Sequence, residues 1–275
     1  MNRPKTRAGT CRLCGAEGPL CLSHLIPKRI FEVILSADPG QKAPIMMTNR
    51  LTIMKHAQIK DYLLCESCED QFNKNGERYV FEMMKTLDGF KLLERLNVAP
   101  PMSFQVADHV AFSGEDIGID MDALAYFGLS IFWRAGAHTW PSKLMVTSTY
   151  SIDLGPWRDP IGKFLLGGSW PSGVSLMVTA AEDKFSQGFS FYPGRTVGLL
   201  GEMLSYGFLT CGIHFSIFLA KPVPFPYSLF CCTSAPRRPI FMRDIREQTM
   251  HAAGRLATLG RVAENMKDKV VRSRK

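Results

Sequence analysis

Cys11-Arg12-Leu13-Cys14 and, 50 residues further on, Cys65-Glu66-Ser67-Cys68 decide how the first third of this 275-residue chain is read. Each C-x-x-C pair sets two thiolates on a tight turn. Two such pairs meet the tetrahedral demand of Zn2+, and thiolates favour zinc over hard cations. Gly15 follows the first pair, where the backbone twist of a zinc-knuckle turn suits a residue without a Cβ. The spacing therefore predicts a structural zinc site built by Cys11, Cys14, Cys65 and Cys68. Coincidental core or redox thiols are the alternative, and two pairs inside one 58-residue window argue against them. Four protein ligands leave no position for water, so such a site holds the fold and does no chemistry itself.

Working outward, residues 1–10 read as a disordered basic arm and 11–97 as one Cys- and Lys-rich unit. Within that unit, Pro27 to Leu35 has helical spacing, 36–47 is loop-like, and Leu51 to Met54 reads as a short strand. The stretch Cys68 to Leu96 reads as helix, bent or broken at Gly76. Val98-Ala99-Pro100-Pro101 marks a boundary, and 98–275 reads as a larger α+β domain of unknown role. There Met121 to Ala137 predicts a buried helix, and 151–166 a second one entered through Pro156. Strands follow at VSLMVTAA (174–181), GFSFYPG (188–194), FLTCGIHFSIFLA (208–220) and SLFCCTS (228–234), with Gly, Pro and Ser clusters as turn signals. A basic amphipathic helix is expected from Arg243 to about Lys269. The expected fold class is α+β: a zinc-bound, treble-clef-like module followed by mixed helices and an antiparallel sheet.

Between the cysteine pairs stands Ser23-His24-Leu25-Ile26-Pro27-Lys28-Arg29. Together with C-x-x-C and the later Leu63-Leu64-Cys65-Glu66-Ser67-Cys68, this arrangement resembles the zinc-bearing HNH endonucleases, a family with a ββα-metal fold. The resemblance covers about residues 11–80. A looser likeness to little-characterised bacterial HNH-like proteins reaches about residue 170 through Ser130-Ile131-Phe132-Trp133-Arg134-Ala135. It implies a metal-dependent endonuclease that hydrolyses phosphodiester bonds with Mg2+ or Mn2+. His24 matches the family's general base. Asp61 stands near its central Asn, Glu69 where a His often follows the last Cys, and Asn73 near its last metal-ligating position. Ser23 departs from the pattern, because it occupies the place of an acid that often binds the catalytic metal. Glu69, Asn73 or Glu77 would compensate from one helix face. Lys28 and Arg29 would hold the phosphate backbone. A nuclease module joined to a sensing domain is a common layout in bacterial defence.

The bland reading of the same residues is a zinc module that binds nucleic acid or protein without catalysis, with His24 a hydrogen-bonded core residue. Arg134, inside an apolar helix, needs a partner; snorkelling to the surface or pairing with Asp122 or Glu202 is expected. The remaining histidines, His138 among them, show no shared spacing and receive no role.

Composition bounds these readings. Hydrophobic residues make up 46% and charged residues 21%, and the net charge is +8. Residues 1–30 are net +5 and residues 236–275 net +7, so basic ends flank a mildly acidic middle. That suits a polyanion, with DNA favoured over RNA. A membrane partner is not expected, since no run of 18 or more residues is apolar and uncharged. The N-terminus lacks the apolar core of a secretory signal, which points to the cytoplasm. In that reducing compartment disulfides poorly explain eight cysteines. A homo-oligomer is compatible with this composition.

Overall fold

A computed structural model describes residues 6–36, 45–47, 51–54, 58–103, 105–106, 108–142, 148–196, 203–259 and 261–262. The chain is mixed α+β, with several sheets and helices. It opens with strands β1 (Thr6–Thr10) and β2 (Glu17–His24), helix α1 (Lys28–Ser36), then β3 (Ile45–Met47), β4 (Leu51–Met54) and β5 (Lys60–Cys65). Helix α2 (Glu66–Phe72) continues through one π turn (Asn73–Glu77) into α3 (Arg78–Met83). A small hairpin, β6 (Lys85–Thr86) and β7 (Gly89–Phe90), leads to α4 (Lys91–Asn97). Next come β8 (Gln105–Val106), β9 (His109–Ser113), α5 (Met121–Ala137), β10 (Trp140–Pro141), β11 (Thr149–Tyr150) and α6 (Arg158–Leu165). The last part holds β12 (Val174–Ala181), α7 (Lys184–Gln187), β13 (Ser190–Arg195), β14 (Leu204–Thr210), β15 (Ile213–Leu219), β16 (Pro239–Arg243), α8 (Arg246–Leu259) and β17 (Arg261–Val262).

Two sheets position the site. The first is antiparallel, in the order β1-β2-β5. Thr6–Thr10, expected to be disordered, is thus an ordered strand, because its backbone pairs with 17–21 across the Cys11–Cys14 turn. The second sheet has seven strands, β13-β14-β15-β12-β16-β9-β8. All its pairings are antiparallel except β12 with β16. The 208–220 stretch, expected as one strand, contains a hairpin turn. Cys211 and Gly212 both have positive φ, 42° and 86°, which lets a two-residue loop join β14 to β15. The 228–234 segment, also expected as a strand, opens as a 3-10 turn at Tyr227–Phe230. That turn buries Tyr227 and Phe230 against Phe218 and Phe241. The C-terminal helix is Arg246–Leu259, and residues 263–275 lie outside the described residues.

Helix α5 joins the two halves. It is apolar along its length, and Asp120 caps its first turn by accepting from the Ala123 N–H at 2.8 Å. Nearly every residue from Met121 to Ala135 is buried. Phe127 and Phe132 meet Phe215 and Phe208 of the sheet, with ring centroids 5.5 and 5.0 Å apart. On another side Trp133 meets Phe72 of α2. A single apolar core therefore runs from Leu25, Leu63 and Phe72 through α5 to Phe215 and Ile240, although the Pro100-Pro101 stretch separates these parts in the chain.

The long helix expected over 68–96 does not break at Gly76. It runs unbroken from Glu66 to Met83 and widens by one π turn that contains Gly76. A Cβ there would lie 2.8 Å from the backbone N of Phe127 in α5. Absence of a side chain is what lets the two helices touch. Gly76→Ala is expected to push them apart and to lower stability by about 1–3 kcal/mol, the usual range for overpacking. Chemical denaturation of the purified variant checks this.

Candidate functional site

The β1–β2 turn, the end of β5 and the first turn of α2 bring four cysteines together. Cys11 and Cys14 come from the turn, Cys65 ends β5, and Cys68 lies one turn into α2. Arg12 N–H donates to the Leu63 carbonyl at 3.0 Å, which ties the turn to β5. Gly15, at φ +76°, closes the turn, and its N–H donates to the Cys11 carbonyl at 2.9 Å. The four Sγ atoms all lie within 4.8 Å of one another. Zn–S bonds of ~2.3 Å in a tetrahedron require sulfurs about 3.8 Å apart. Cys14 Sγ and Cys65 Sγ are 3.8 Å apart. The cluster could hold a metal ion. Burial opposes ionisation of Cys11, but backbone hydrogen bonds from Cys14, Cys65 and Leu13 outweigh it and bring that thiol to about 7. Burial and the neighbouring sulfurs drive Cys68 far the other way. Four crowded sulfurs resist ionising together unless a cation shares their charge.

Beyond this cluster, the continuous helix of α2 and α3 presents a cleft of about 210 Å3. His24, Pro27, Lys28, Arg29, Glu69, Glu77, Phe81 and Arg134 line it. Sequence reasoning named five of these as site residues: His24, Lys28, Arg29, Glu69 and Glu77. His24 ends β2, and the first turn of α1 carries Lys28 and Arg29. Lys28 pairs with Glu32 at 2.7 Å on the exposed face. The Arg29 guanidinium lies 5.2 Å from the Phe81 ring centroid. Glu69 and Glu77 are eight residues apart, slightly more than two α-turns of about 3.6 residues. The π turn between them absorbs the excess and returns Glu77 to Glu69's side.

Two expected members fall elsewhere. Asn73 is exposed and does not line the cleft. Asp61 is engaged by His138 Nε2 at 2.8 Å, and its other oxygen accepts from the Tyr62 N–H. His138, given no role from sequence, is the C-cap of α5 and pairs with Asp61, which lies opposite Ser23 on β5 but does not line the cleft.

Arg134 is the member that sequence reasoning missed. Its side chain is only 2% exposed, so it does not snorkel. Its Nη2 donates to Glu77 Oε1 at 2.8 Å and lies 3.8 Å from Glu69 Oε2. The guanidinium carbon is 4.6 Å from the Phe72 ring centroid. Asp122, one expected partner, pairs with Arg238 instead, and Glu202 lies outside the described residues. The buried Ser23 hydroxyl donates to Glu69 Oε1 and accepts from the Leu64 N–H at 3.3 Å. Burial lowers the His24 pKa below its ordinary 6.5, and the positive charges of Lys60, Arg134 and Lys28 add to this against Glu69. His24 is therefore a neutral imidazole at pH 7, able to accept a proton.

No family model matches the chain, and no curated protein or solved structure does either. Among the described residues no helix is long and apolar enough to cross a membrane.

Two outcomes follow from this geometry. If the cluster holds a metal ion, Cys68→Ser is expected to lose it, read by elemental analysis of the purified chain beside wild type, together with thermal stability. Glu77→Ala leaves the Arg134 charge buried without its nearest partner. It is expected to cost about 3–5 kcal/mol, read by denaturant titration against Glu77→Gln, which keeps an acceptor and loses less.

Proposed function

We propose that this chain is an HNH-like hydrolase of nucleic-acid phosphodiester bonds, with DNA the favoured substrate. The observation that carries the reading is the convergence of His24, Lys28, Arg29, Glu69 and Glu77 on one cleft beside the four-cysteine cluster. The order β2, β5, α2 matches the strand-strand-helix plan that the HNH resemblance implies. We assign Zn2+ to Cys11, Cys14, Cys65 and Cys68, where it joins the turn, β5 and α2 in a treble-clef-like unit. Its chemistry is structural.

The cleft's own residues supply the reaction. His24 takes a proton from a water molecule, and the water oxygen forms a bond to phosphorus. The bond from phosphorus to the 3′ oxygen breaks in line. That oxygen takes a proton from solvent, and His24 later returns its own to solvent. The products are a 5′-phosphate and a 3′-hydroxyl. Lys28 and Arg29, at the exposed rim, hold neighbouring phosphates along the strand.

A catalytic Mg2+ or Mn2+, which the resemblance implies, does not fit the residues present. Ser23 stands in the place of the acid ligand and itself occupies Glu69. Glu77 is occupied by Arg134. Among the described residues, the four cysteines are the only set of three or more His, Cys, Asp or Glu whose ligand atoms converge.

The test compares wild type with His24→Ala on plasmid and single-stranded DNA. The variant is expected to keep its circular dichroism spectrum and lose cleavage by a factor of about 100 or more. Cleavage at the wild-type rate by folded His24→Ala contradicts the reading. No cleavage by wild type, with salt-sensitive DNA binding that depends on Lys28 and Arg29, identifies a binding module instead. The pH profile is a second check. Because the His24 pKa is depressed, the neutral base survives acidification, and the acid limb of kcat/KM is expected below pH 6.5. The same shift makes the folded chain lose stability as pH falls below 6.5, since the unfolded chain binds that proton more readily.

A further inference from the structure

We infer that Lys60 is a positioning residue of the proposed reaction: it binds a phosphate of the nucleic-acid strand beside His24 and so sets the scissile bond against that base. This rests on the hydrolase reading above. β2 and β5 run antiparallel, and His24 stands directly opposite Lys60. The Leu25 N–H donates to the Ile59 carbonyl at 3.0 Å, so the pairing extends past the two residues and fixes them side by side. Leu25 and Ile59 are both buried. Side chains alternate along an extended chain, so His24 and Lys60 turn together to the opposite face. Opposed residues of an antiparallel pair bring their Cβ atoms to about 4.5–5.5 Å. Lys60 is exposed and is not part of the cleft lining, so it flanks His24 from the solvent side.

The charges around His24 select the ligand class. Four groups act on it from four elements: Lys60 of β5, Glu69 of α2, Arg134 of α5 and Lys28 of α1. Three of them are engaged. Arg134 is held by Glu77, Glu69 accepts from Ser23, and Lys28 pairs with Glu32. Among the described residues Lys60 makes no ion pair. Its ammonium is the uncommitted cation of the set, and an ammonium on a flexible stem binds phosphate as a point charge. With Lys28 and Arg29, it puts cations on both segments that flank His24, the helix that follows it and the strand opposite it. A strand phosphate drawn to these cations lies beside the base.

The same charge acts on the base itself. After burial, Lys60 does most to hold the His24 pKa below its ordinary 6.5, with Arg134 and Lys28 adding to it and Glu69 opposing. His24 therefore stays neutral in mildly acidic solution and remains able to take a proton from water. Lys60 exchanges no proton or electron in the reaction. A lysine here has a simpler use as well: β5 is the edge of its sheet, and edge lysines discourage pairing with other chains. That use alone would leave nucleic-acid affinity unchanged by the loss of the ammonium.

The experiment uses the full-length chain. DNA binding is measured by fluorescence anisotropy in the His24→Ala background, so that cleavage does not intervene, with labelled single-stranded and duplex oligonucleotides at several salt concentrations. Adding Lys60→Met is expected to weaken binding about two- to fivefold, as for an exposed charge pair. It is also expected to flatten the slope of log affinity against log salt by about 0.7 for a single strand or 0.9 for a duplex, the value of one phosphate contact. Lys60→Arg in its place is expected to restore both. In chains that keep His24, its pKa is read by NMR titration; Lys60→Met is expected to raise it toward 6.5, and Lys60→Arg to leave it near wild type. Affinity and salt slope unchanged by Lys60→Met in a folded chain overturn the assignment, as does an absence of DNA binding by folded His24→Ala. A His24 pKa that Lys60→Met leaves unmoved overturns it too, since the two groups are then not neighbours. No cleavage by wild type, with binding still weakened by Lys60→Met, overturns the hydrolase reading and keeps Lys60 as a strand contact.

Discussion

A guanidinium buried in an apolar core is the constraint around which this chain is arranged. Arg134 belongs to a helix that is largely apolar and almost entirely buried, and it is itself almost fully withdrawn from water. Such a charge costs several kcal/mol to bury unless a counter-charge meets it at close range. Glu77 does so from a different helix, 57 residues earlier in the chain. The pairing requires α5 to lie directly on the π turn, which Gly76 permits. It requires the helix from Glu66 to Met83 to stay unbroken, so that Glu69 and Glu77 share a side. The cleft is a consequence of satisfying this one charge.

The four-cysteine cluster acts at the other end of the same helix. Cys65 and Cys68 fix where α2 begins, and Cys11 and Cys14 fasten the β1–β2 turn to it. A metal ion held there would join the β1–β2 turn, the end of β5 and the start of α2. The large sheet contributes by packing against α5 through Phe208 and Phe215. Each half therefore supplies what the other lacks: the N-terminal unit carries His24 and both glutamates, and α5 carries the cation.

Much of this was legible in the residues. The cysteine cluster could be read from spacing because C-x-x-C is local chemistry that needs no knowledge of the fold. Met121–Ala137 was legible as a helix because 17 residues of that composition are too long for a buried strand. Val174–Ala181 was legible as a strand, being short, uncharged and mostly apolar. What could not be read were relations between distant residues. Nothing local shows that Arg134 meets Glu77, or that His138 takes Asp61. The 228–234 segment misled because its aromatic residues are buried by a 3-10 turn rather than by a ladder. The 208–220 segment misled because Cys-Gly is not a common hairpin turn pair. Asn73 misled because helix periodicity alone does not reveal a π turn.

The deciding measurement is a crystal structure of the full chain with a non-hydrolysable phosphorothioate dinucleotide, grown with Mn2+ present. Sulfur and manganese both scatter anomalously, so ligand and metal can each be located. The phosphorothioate is expected in the cleft, with His24 facing phosphorus, Lys28 and Arg29 along the backbone, and no manganese between Glu69 and Glu77. Manganese bound by those two carboxylates, with Arg134 displaced from Glu77, would contradict this reading.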